Sequence, residues 1–399
     1  METPHQRIKV PFKDASRFWL KLGFISFGGP AGQIAMMHRE VVERRRWMDE
    51  ERFLHALNYC MLLPGPEAQQ LATYLGYLMH GIRGGLVAGL LFVLPSFFIL
   101  LGLAWAYRTY GHLPALAELF WGLRAVVVGI VAAAVLKIGQ RALKSPPAYL
   151  LAIAGFVGMQ FLGIPFPIIV FAAGLLGLVL LRHQTSKTIT QIVLPPFFVT
   201  SIASKASATT LALAAPAAAV TAGLGATLLT MAWFFTSAAL VTFGGAYAVL
   251  PYVAKHAEEF GWMTQKEMID GLALTETTPG PLIMYVTWVG YMGAGVAGAV
   301  IATFFTFLPS FLFIFLGAPY VERLRGNRYV AGFLSGVTAA VVGVILSLAV
   351  HLGQIAFKDL WSLVLALTAF ILLMWWPKLN VVWAVLMGLG AGLIRLVLL

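Results

Sequence analysis

The sequence predicts an all-α polytopic membrane protein made of two inverted-topology repeats with broken or re-entrant helices. Three observations predict it: a motif order that occurs twice, a composition too apolar for water, and opposite charge on equivalent loops. Phe27-Gly28-Gly29 precedes Pro64-Gly65-Pro66, and Phe243-Gly244-Gly245 precedes Pro279-Gly280-Pro281, at an offset of 216 (Gly28 to Gly244) and 215 (Pro64 to Pro279). Trp47-Met48 recurs as Trp262-Met263, Gly76-Tyr77 as Gly290-Tyr291, Leu94-Pro95-Ser96-Phe97 as Leu308-Pro309-Ser310-Phe311, and Gly139-Gln140 as Gly353-Gln354.

Composition sets the class. Of 399 residues 60% are hydrophobic and 11% charged, with mean hydropathy +0.86, whereas a soluble domain carries about 25% charged residues. The single cysteine, Cys60, excludes an intramolecular disulfide and any multi-cysteine metal site. The basic N-terminus has no cleavage site after a short apolar core, so no removable signal peptide is expected. The net charge of +11 fits the cytoplasmic Lys and Arg excess of membrane proteins and equally a surface that gathers anions.

Each half reads as six hydrophobic elements: near 18–38, 53–80, 85–106, 119–137, 148–162 and 166–181, then near 234–254, 268–291, 296–317, 330–350, 361–375 and 379–397. A further apolar segment at 208–230 lies between them. The domain reading is a cytoplasmic segment at 1–16, a first repeat at 17–182, a linker with one transmembrane helix at 183–230 and a second repeat at 231–399. Lys137, Arg141 and Lys144 make one first-half loop basic, while Glu322, Arg323, Arg325 and Arg328 make a non-equivalent second-half loop net positive. Under the positive-inside bias, equivalent loops then face opposite sides, and the extra segment supplies the odd crossing. His38–Arg52 holds five arginines against five acids. It is external if the first element crosses and cytoplasmic if the first two are re-entrant, and sequence leaves both open.

Chemistry is expected at the breaks. Gly28, Gly29 and Pro30, and Pro64, Gly65 and Pro66, cannot continue a helix smoothly. Unpaired backbone at membrane depth must face protein or a wet cavity. Breaks at matching places in two repeats point to a transporter's substrate site. Helices starting after them would aim free N–H groups and a positive dipole end at an anion. Gly244, Gly245, Pro279, Gly280 and Pro281 repeat the pattern, with Gln33, Gln69, Gln70, Thr277 and Thr278 as neutral donors nearby. Packing kinks are the plainer reading.

Ionisable residues inside apolar segments are expensive. Lys21, Glu67, Arg124 and Glu276 are such residues, whereas Arg83, Lys137 and His351 fall at element ends, where snorkelling accounts for them. Arg124 either faces the site, where its planar fork suits a tetrahedral oxyanion, or pairs with Glu118 or Glu67. Glu67 and Glu276 either carry a coupling proton or cap a half-helix.

Ser26-Phe-Gly-Gly-Pro30, Val42-Glu-Arg-Arg-Arg-Trp47 and Leu63-Pro-Gly-Pro-Glu-Ala-Gln-Gln70 resemble the chromate ion transporter family in its long, two-domain form. Ala239 to Pro251 and Glu276-Thr-Thr-Pro-Gly-Pro-Leu282 resemble that family's second signature, and the likeness covers residues 17–395. It implies an inner-membrane carrier of bacterial plasma membranes that expels chromate, driven by the proton motive force, and so confers resistance. The chain departs from the family at Ser237, where relatives often have Lys, and at Gly32-Gln33, where many have Ala-His. Sulfate has the same charge and shape as chromate. The partners expected are therefore a chromate or sulfate-like oxyanion, protons and lipids, with no nucleic acid and no cofactor, and a homodimer is compatible with the sequence. An anion channel would use the same breaks without a coupling acid. An enzyme acting on lipid-linked phosphate would need a catalytic constellation, and the chain has no His-Glu-x-x-His, no closely paired aspartates, no Gly-x-Ser-x-Gly and no ATP-binding loop.

Overall fold

The computed structural model describes residues 10–27, 29–181, 223–243, 245–317, 328–376 and 381–398. The described first half contains α1 (Phe12–Ile25), α2 (Gly29–His38, continued as a π-helical stretch Arg39–Arg44), α3 (Glu50–Cys60), α4 (Glu67–Tyr110), α5 (Pro114–Ala142), α6 (Pro146–Gln160) and α7 (Phe166–Leu180). The second contains α8 (Leu224–Leu240), α9 (Ala246–Glu259), α10 (Gln265–Thr277), a 3-10 turn (Leu282–Met284), α11 (Tyr285–Gly317), α12 (Arg328–Ala356), α13 (Leu360–Trp375) and α14 (Val381–Leu398). The described elements are helical, and α1–α7 answer α8–α14 one for one. α4, α5, α11, α12 and α14 are long and apolar enough to cross a membrane.

The elements expected at 18–38 and 53–80 are each two shorter helices. Gly29 and Gly65 stand at φ +73° and +119°, a backbone region that side chains other than glycine avoid. At 1.5 Å per residue α1 is about 21 Å long, too short for a core of about 30 Å. After α2 the chain returns beside α1, with the Trp47 ring edge-on to Phe18 at 5.5 Å and the Arg45 guanidinium 5.2 Å from the same ring. The equivalent Trp262 lies against Phe234 at 5.7 Å. The first two helices of each half thus fold back on one another. Of the segment expected at 208–230, residues 208–222 lie outside the described residues and 224–230 open α8.

α4 is two arms. His80 and Gly81 leave helical geometry (Gly81 φ 65°, ψ −156°), and a Cβ placed on Gly76 would collide with Gly84 O and the Ala88 Cβ. In a straight helix residues 76 and 84 would stand about 12 Å apart, so the chain doubles back at Gly81. α11 does the same at Ala294 and Gly295, with Gly290 against Gly298 and Thr287 Oγ1 2.8 Å from Thr303 Oγ1. Glycine is what permits this closeness.

The long arms pack on each other. Gly85 meets the Phe315 ring and Gly89 the Phe311 ring, so the 82–110 and 296–317 arms are antiparallel. Arg108 Nη1 at the end of one arm donates to Met292 O beside the turn of the other, at 2.8 Å. Beyond them α5 packs against α13 and α14, while α12 packs against α6 and α7. Glycine again sets the spacing: Gly122 rests on Gly388 O, Gly155 on Ala340 O and Gly343 on Ala152 O. The outer surface exposes Phe98, Trp105, Leu150, Trp361 and Trp383, apolar and aromatic groups suited to lipid and its interfaces.

Candidate functional site

At the centre the two breaks of one half clasp those of the other. Gly65 N–H donates to Thr242 O at 2.7 Å and Gly280 N–H to Ser26 O at 2.8 Å. The Ser310 hydroxyl sits where a Cβ on Gly65 would go, and Ser96 does the same at Gly280. Gln33 Nε2 bridges Gly280 O (2.6 Å) and Ser26 O (3.3 Å). Gln70 Nε2 donates to Pro64 O at 2.7 Å and Gln69 Nε2 to Thr73 Oγ1 at 3.0 Å. The Thr277 and Thr278 hydroxyls return to their own chain at Leu274 O and Thr275 O. Gln33 and Gln70 thus donate to backbone carbonyls at the breaks, while Gln69 bonds a side chain and the two threonines bond their own helix.

A cavity of about 1620 Å³ opens next to this clasp. Its inner wall holds Gly29 and Pro30 at the start of α2, Gly245, Ala246 and Tyr247 at the start of α9, Glu67 at the start of α4 and Glu276 near the end of α10. Its outer wall holds His38, Arg39, His55, Lys137, Arg141 and Lys144, with Glu43 as the acid. Two helix N-termini, one from each half, thus face one water-accessible space, each offering free N–H groups and a positive dipole end. No Cβ neighbour stands within 4 Å at Gly29 or Gly245, so a ligand can approach the backbone there. Lys137 and Arg141 lie four residues apart on one face of α5. Neither they nor Arg39 or Lys144 form an ion pair among the described residues, in contrast to Arg44 and Arg45, which share Glu40 at 3.0 and 3.2 Å. Tyr247 donates its hydroxyl to Glu276 Oε1 at 2.6 Å.

The predicted residues therefore separate. Gly29, Pro30, Glu67, Gly245 and Glu276 share the cavity. Gln33, Pro64, Gly65, Pro66, Gln70, Thr277, Thr278, Pro279, Gly280 and Pro281 belong to the clasp beside it, and Gly28 and Gly244 lie outside the described residues. Lys21 is exposed on α1, away from the cavity. Arg124 pairs with neither Glu118 nor Glu67. It grips Asp270 of α10 with both arms of its fork, Nε on Oδ1 and Nη2 on Oδ2 at 2.8 Å, while the Tyr107 hydroxyl bonds the same Oδ2 at 2.7 Å. Asp270 is fully buried and Arg124 is 14% exposed. Glu118 is held instead by Arg395 at 2.9 Å. The sequence reading missed the cavity cations, Tyr247 and Asp270. The i, i+4 spacing of Lys137 and Arg141 and the isolated acid at the head of the 268–291 element were the available signals.

The model of one protein family, described as Chromate transporter, matches residues 14–178 and again 229–393. The chain belongs to the chromate transporter family. The two matches stand 215 residues apart, the same register as the repeated breaks. The chain is 36% identical to the Chromate transport protein of Pseudomonas aeruginosa, over 94% of this chain and 90% of that one. It is 32% identical to the Probable chromate transport protein of Synechococcus elongatus, over 92% and 91%, and 32% identical to the Chromate transport protein of Cupriavidus metallidurans, over 95% and 91%. No solved structure matches the chain. The protein is a multi-pass membrane transporter, not an enzyme.

Proposed function

We propose that this chromate transporter family member is a secondary carrier that exports chromate, with sulfate as a competing dianion, using the proton motive force. The observation that carries the reading is one cavity in which two helix N-termini, one per repeat, meet Glu67, Glu276 and four cations, Arg39, Lys137, Arg141 and Lys144, that form no ion pair among the described residues. The cations gather the dianion at the mouth by their field. The helix starts hold it by backbone donors whose strength grows where water is excluded. Glu67 or Glu276 takes up the coupling proton.

The same reading places the repeats in inverted topology. Antiparallel packing of the equivalent long arms supports it. So does the gathering of Arg39, Lys137, Arg141 and Lys144 around one cavity, which the positive-inside bias turns toward the cytoplasm. The cavity is then open to the cytoplasm, and the Arg124–Asp270–Tyr107 group, about 9 Å along α5 from the first cavity residue of that helix, Ile130, closes the far side. Labels at 142 and 356 should report opposite faces of the membrane, and the same face for both ends the inverted reading.

Energetics favour export. A membrane potential, negative inside, contributes about 2.3 kcal/mol per charge per 100 mV. A departing dianion gains about 4.6 kcal/mol, roughly a thousandfold gradient. Energised everted vesicles should accumulate radiolabelled chromate, and accumulation in right-side-out vesicles alone would make the protein an importer. Accumulation that survives both Glu67→Gln and Glu276→Gln would remove the proton role from these acids.

A further inference from the structure

The pairing of Tyr247 with Glu276 does more than hold an acid in place. We propose that the Tyr247 hydroxyl is the link between anion and proton: it donates to Glu276 while the site is empty and to the oxyanion when the site is filled. This rests on the cavity being the anion site. Tyr247 is the second residue of α9, directly after the glycine break at Gly245, whose φ is +96°. It therefore stands at the helix start where an oxyanion would be bound. Its hydroxyl is 2.6 Å from Glu276 Oε1, and both side chains line the cavity.

A phenol has one proton to donate. With no anion present, that proton goes to Glu276, whose other oxygen takes no hydrogen bond among the described residues. The ionised carboxylate is thereby favoured in the empty site. When a dianion settles at the start of α9, the hydroxyl turns to it, the stronger acceptor. Glu276 then loses its donor and faces two new negative charges, so it takes a proton from cavity water. One proton is bound as the anion is bound and leaves with it, so this device exports one net negative charge per cycle, drawing on the potential component of the proton motive force against its pH component. No covalent bond other than the carboxyl O–H forms or breaks.

The other charged or titratable groups facing this space are Glu67 of α4, His55 and Tyr59 of α3, Lys137 and Arg141 of α5, and His38, Arg39 and Glu43 at the end of α2, with Lys144 beyond α5. α12 contributes the neutral Ser335 and Thr338. None of these forms an ion pair with Glu276 among the described residues. The repeat register sets Ala31 opposite Tyr247 and Met61 opposite Glu276. The device therefore exists in one half only, and a single proton per anion passes through it.

The test is binding of radiolabelled chromate to the full-length, detergent-solubilised protein by equilibrium dialysis, in a pH range where chromate stays a dianion. If one proton is bound with each anion, Kd should rise about tenfold per pH unit. In Tyr247→Phe no hydroxyl moves between Glu276 and the anion, so binding should persist and the slope should vanish. Glu276→Gln should behave in the same way. The Phe variant loses one oxygen and keeps the ring, and a general packing defect would shift Kd at every pH without flattening the slope. A tenfold slope retained in Tyr247→Phe overturns the role of the hydroxyl, and one retained in Glu276→Gln overturns the choice of acid. Tight wild-type binding without any slope overturns the coupling and leaves the carrier reading standing. Absence of chromate binding by the wild type overturns the carrier reading itself.

Discussion

The two halves share a skeleton and differ in chemistry. Positive φ recurs at Gly29 and Gly245, Gly65 and Gly280, Gly81 and Gly295, and even at Arg46 (φ 51°) and Gly261. The clasp is reciprocal, Gly65 to Thr242 and Gly280 to Ser26. The charges are not. By the same register Glu67 faces Leu282, Glu276 faces Met61, Arg124 faces Thr338, Lys137 faces His351 and Arg141 faces Ile355. Two crossing broken helices need the same backbone from both partners, so the breaks must come in pairs. A binding field or a coupling proton is needed once per cycle, so its residues need no partner.

The largest effect should come from breaking the paired skeleton. Leucine at Gly65 or Gly280 adds a side chain at φ +119° or +107° and drives a Cβ into the Ser310 or Ser96 hydroxyl. The backbone strain alone costs about 1–3 kcal/mol, and the clash displaces the opposite half. Vesicles carrying either variant should show no chromate flux. Gly29→Leu sharpens the point, because Gly29 shares the positive φ (+73°) but is surrounded by open space: protein levels should fall less than for Gly65→Leu or Gly280→Leu while flux is still lost, since the side chain fills the approach to the start of α2. Normal flux in all three would mean that the cavity floor is not the site.

Next comes the buried pair that links the halves. Asp270→Asn leaves the Arg124 guanidinium without its counter-charge. Removing one partner of a buried pair costs about 3–5 kcal/mol, and the loss should appear as a lower melting temperature in detergent. The double variant Arg124→Met with Asp270→Leu should recover much of it, as replacement of buried pairs by apolar groups often does. A double variant no better than the single one would mean that the pair does more than hold α5 to α10.

These cases show what sequence could disclose. The breaks were legible because Gly-Gly-Pro and Pro-Gly-Pro forbid a regular helix wherever they stand. α5 to α7 and α12 to α14 were legible because each is one apolar run between polar ends. The break of 18–38 into two helices that fold back was not, since a run of that length reads as one crossing and only its contacts, Trp47 on Phe18, show the chain doubling back. The partner of Arg124 was out of reach for a different reason. Asp270 is 146 residues away, and chain separation of that size carries no local pattern. Lys137 read as a snorkelling end and Arg141 as a loop charge because the cavity beside them is made by α3, α9 and α12 as much as by α5.

A smaller effect should follow from the cavity cations of the first half. Replacing Lys137 and Arg141 together by glutamine removes two positive charges and no ion pair among the described residues. The apparent KM for chromate should rise about tenfold at low ionic strength, with the maximal rate little changed. The difference should shrink as salt rises and the Debye length falls to about 8 Å at physiological strength. A fall in maximal rate with unchanged KM would instead place these residues in the moving parts of the cycle.

The smallest effect tests whether a difference between equivalent helix caps matters. Asp359 begins α13 and forms a capping box: its carboxylate accepts the Ser362 N–H at 2.7 Å, and Ser362 Oγ accepts the Asp359 N–H at 3.4 Å. Trp121 and Arg395 bond the second carboxylate oxygen at 3.1 and 3.0 Å. In the first half the equivalent position is Ser145, which begins α6 with no side-chain cap. Asp359→Ala should therefore cost about 1 kcal/mol, a fall of about 2 °C in Tm, while Ser145→Ala costs next to nothing. The effect has a pH signature. Burial pushes the Asp359 carboxyl up, but the bonds from Ser362 and Trp121 and the charge of Arg395 outweigh it and hold the group below its ordinary value. A depressed carboxyl stabilises the folded protein above the unfolded value of about 3.9 and loses that contribution as pH falls through the folded one. The gap in Tm between wild type and Asp359→Ala should be constant near neutrality and close on acidification below about pH 4. A gap independent of pH would assign the loss to packing around Trp121 rather than to the charged cap.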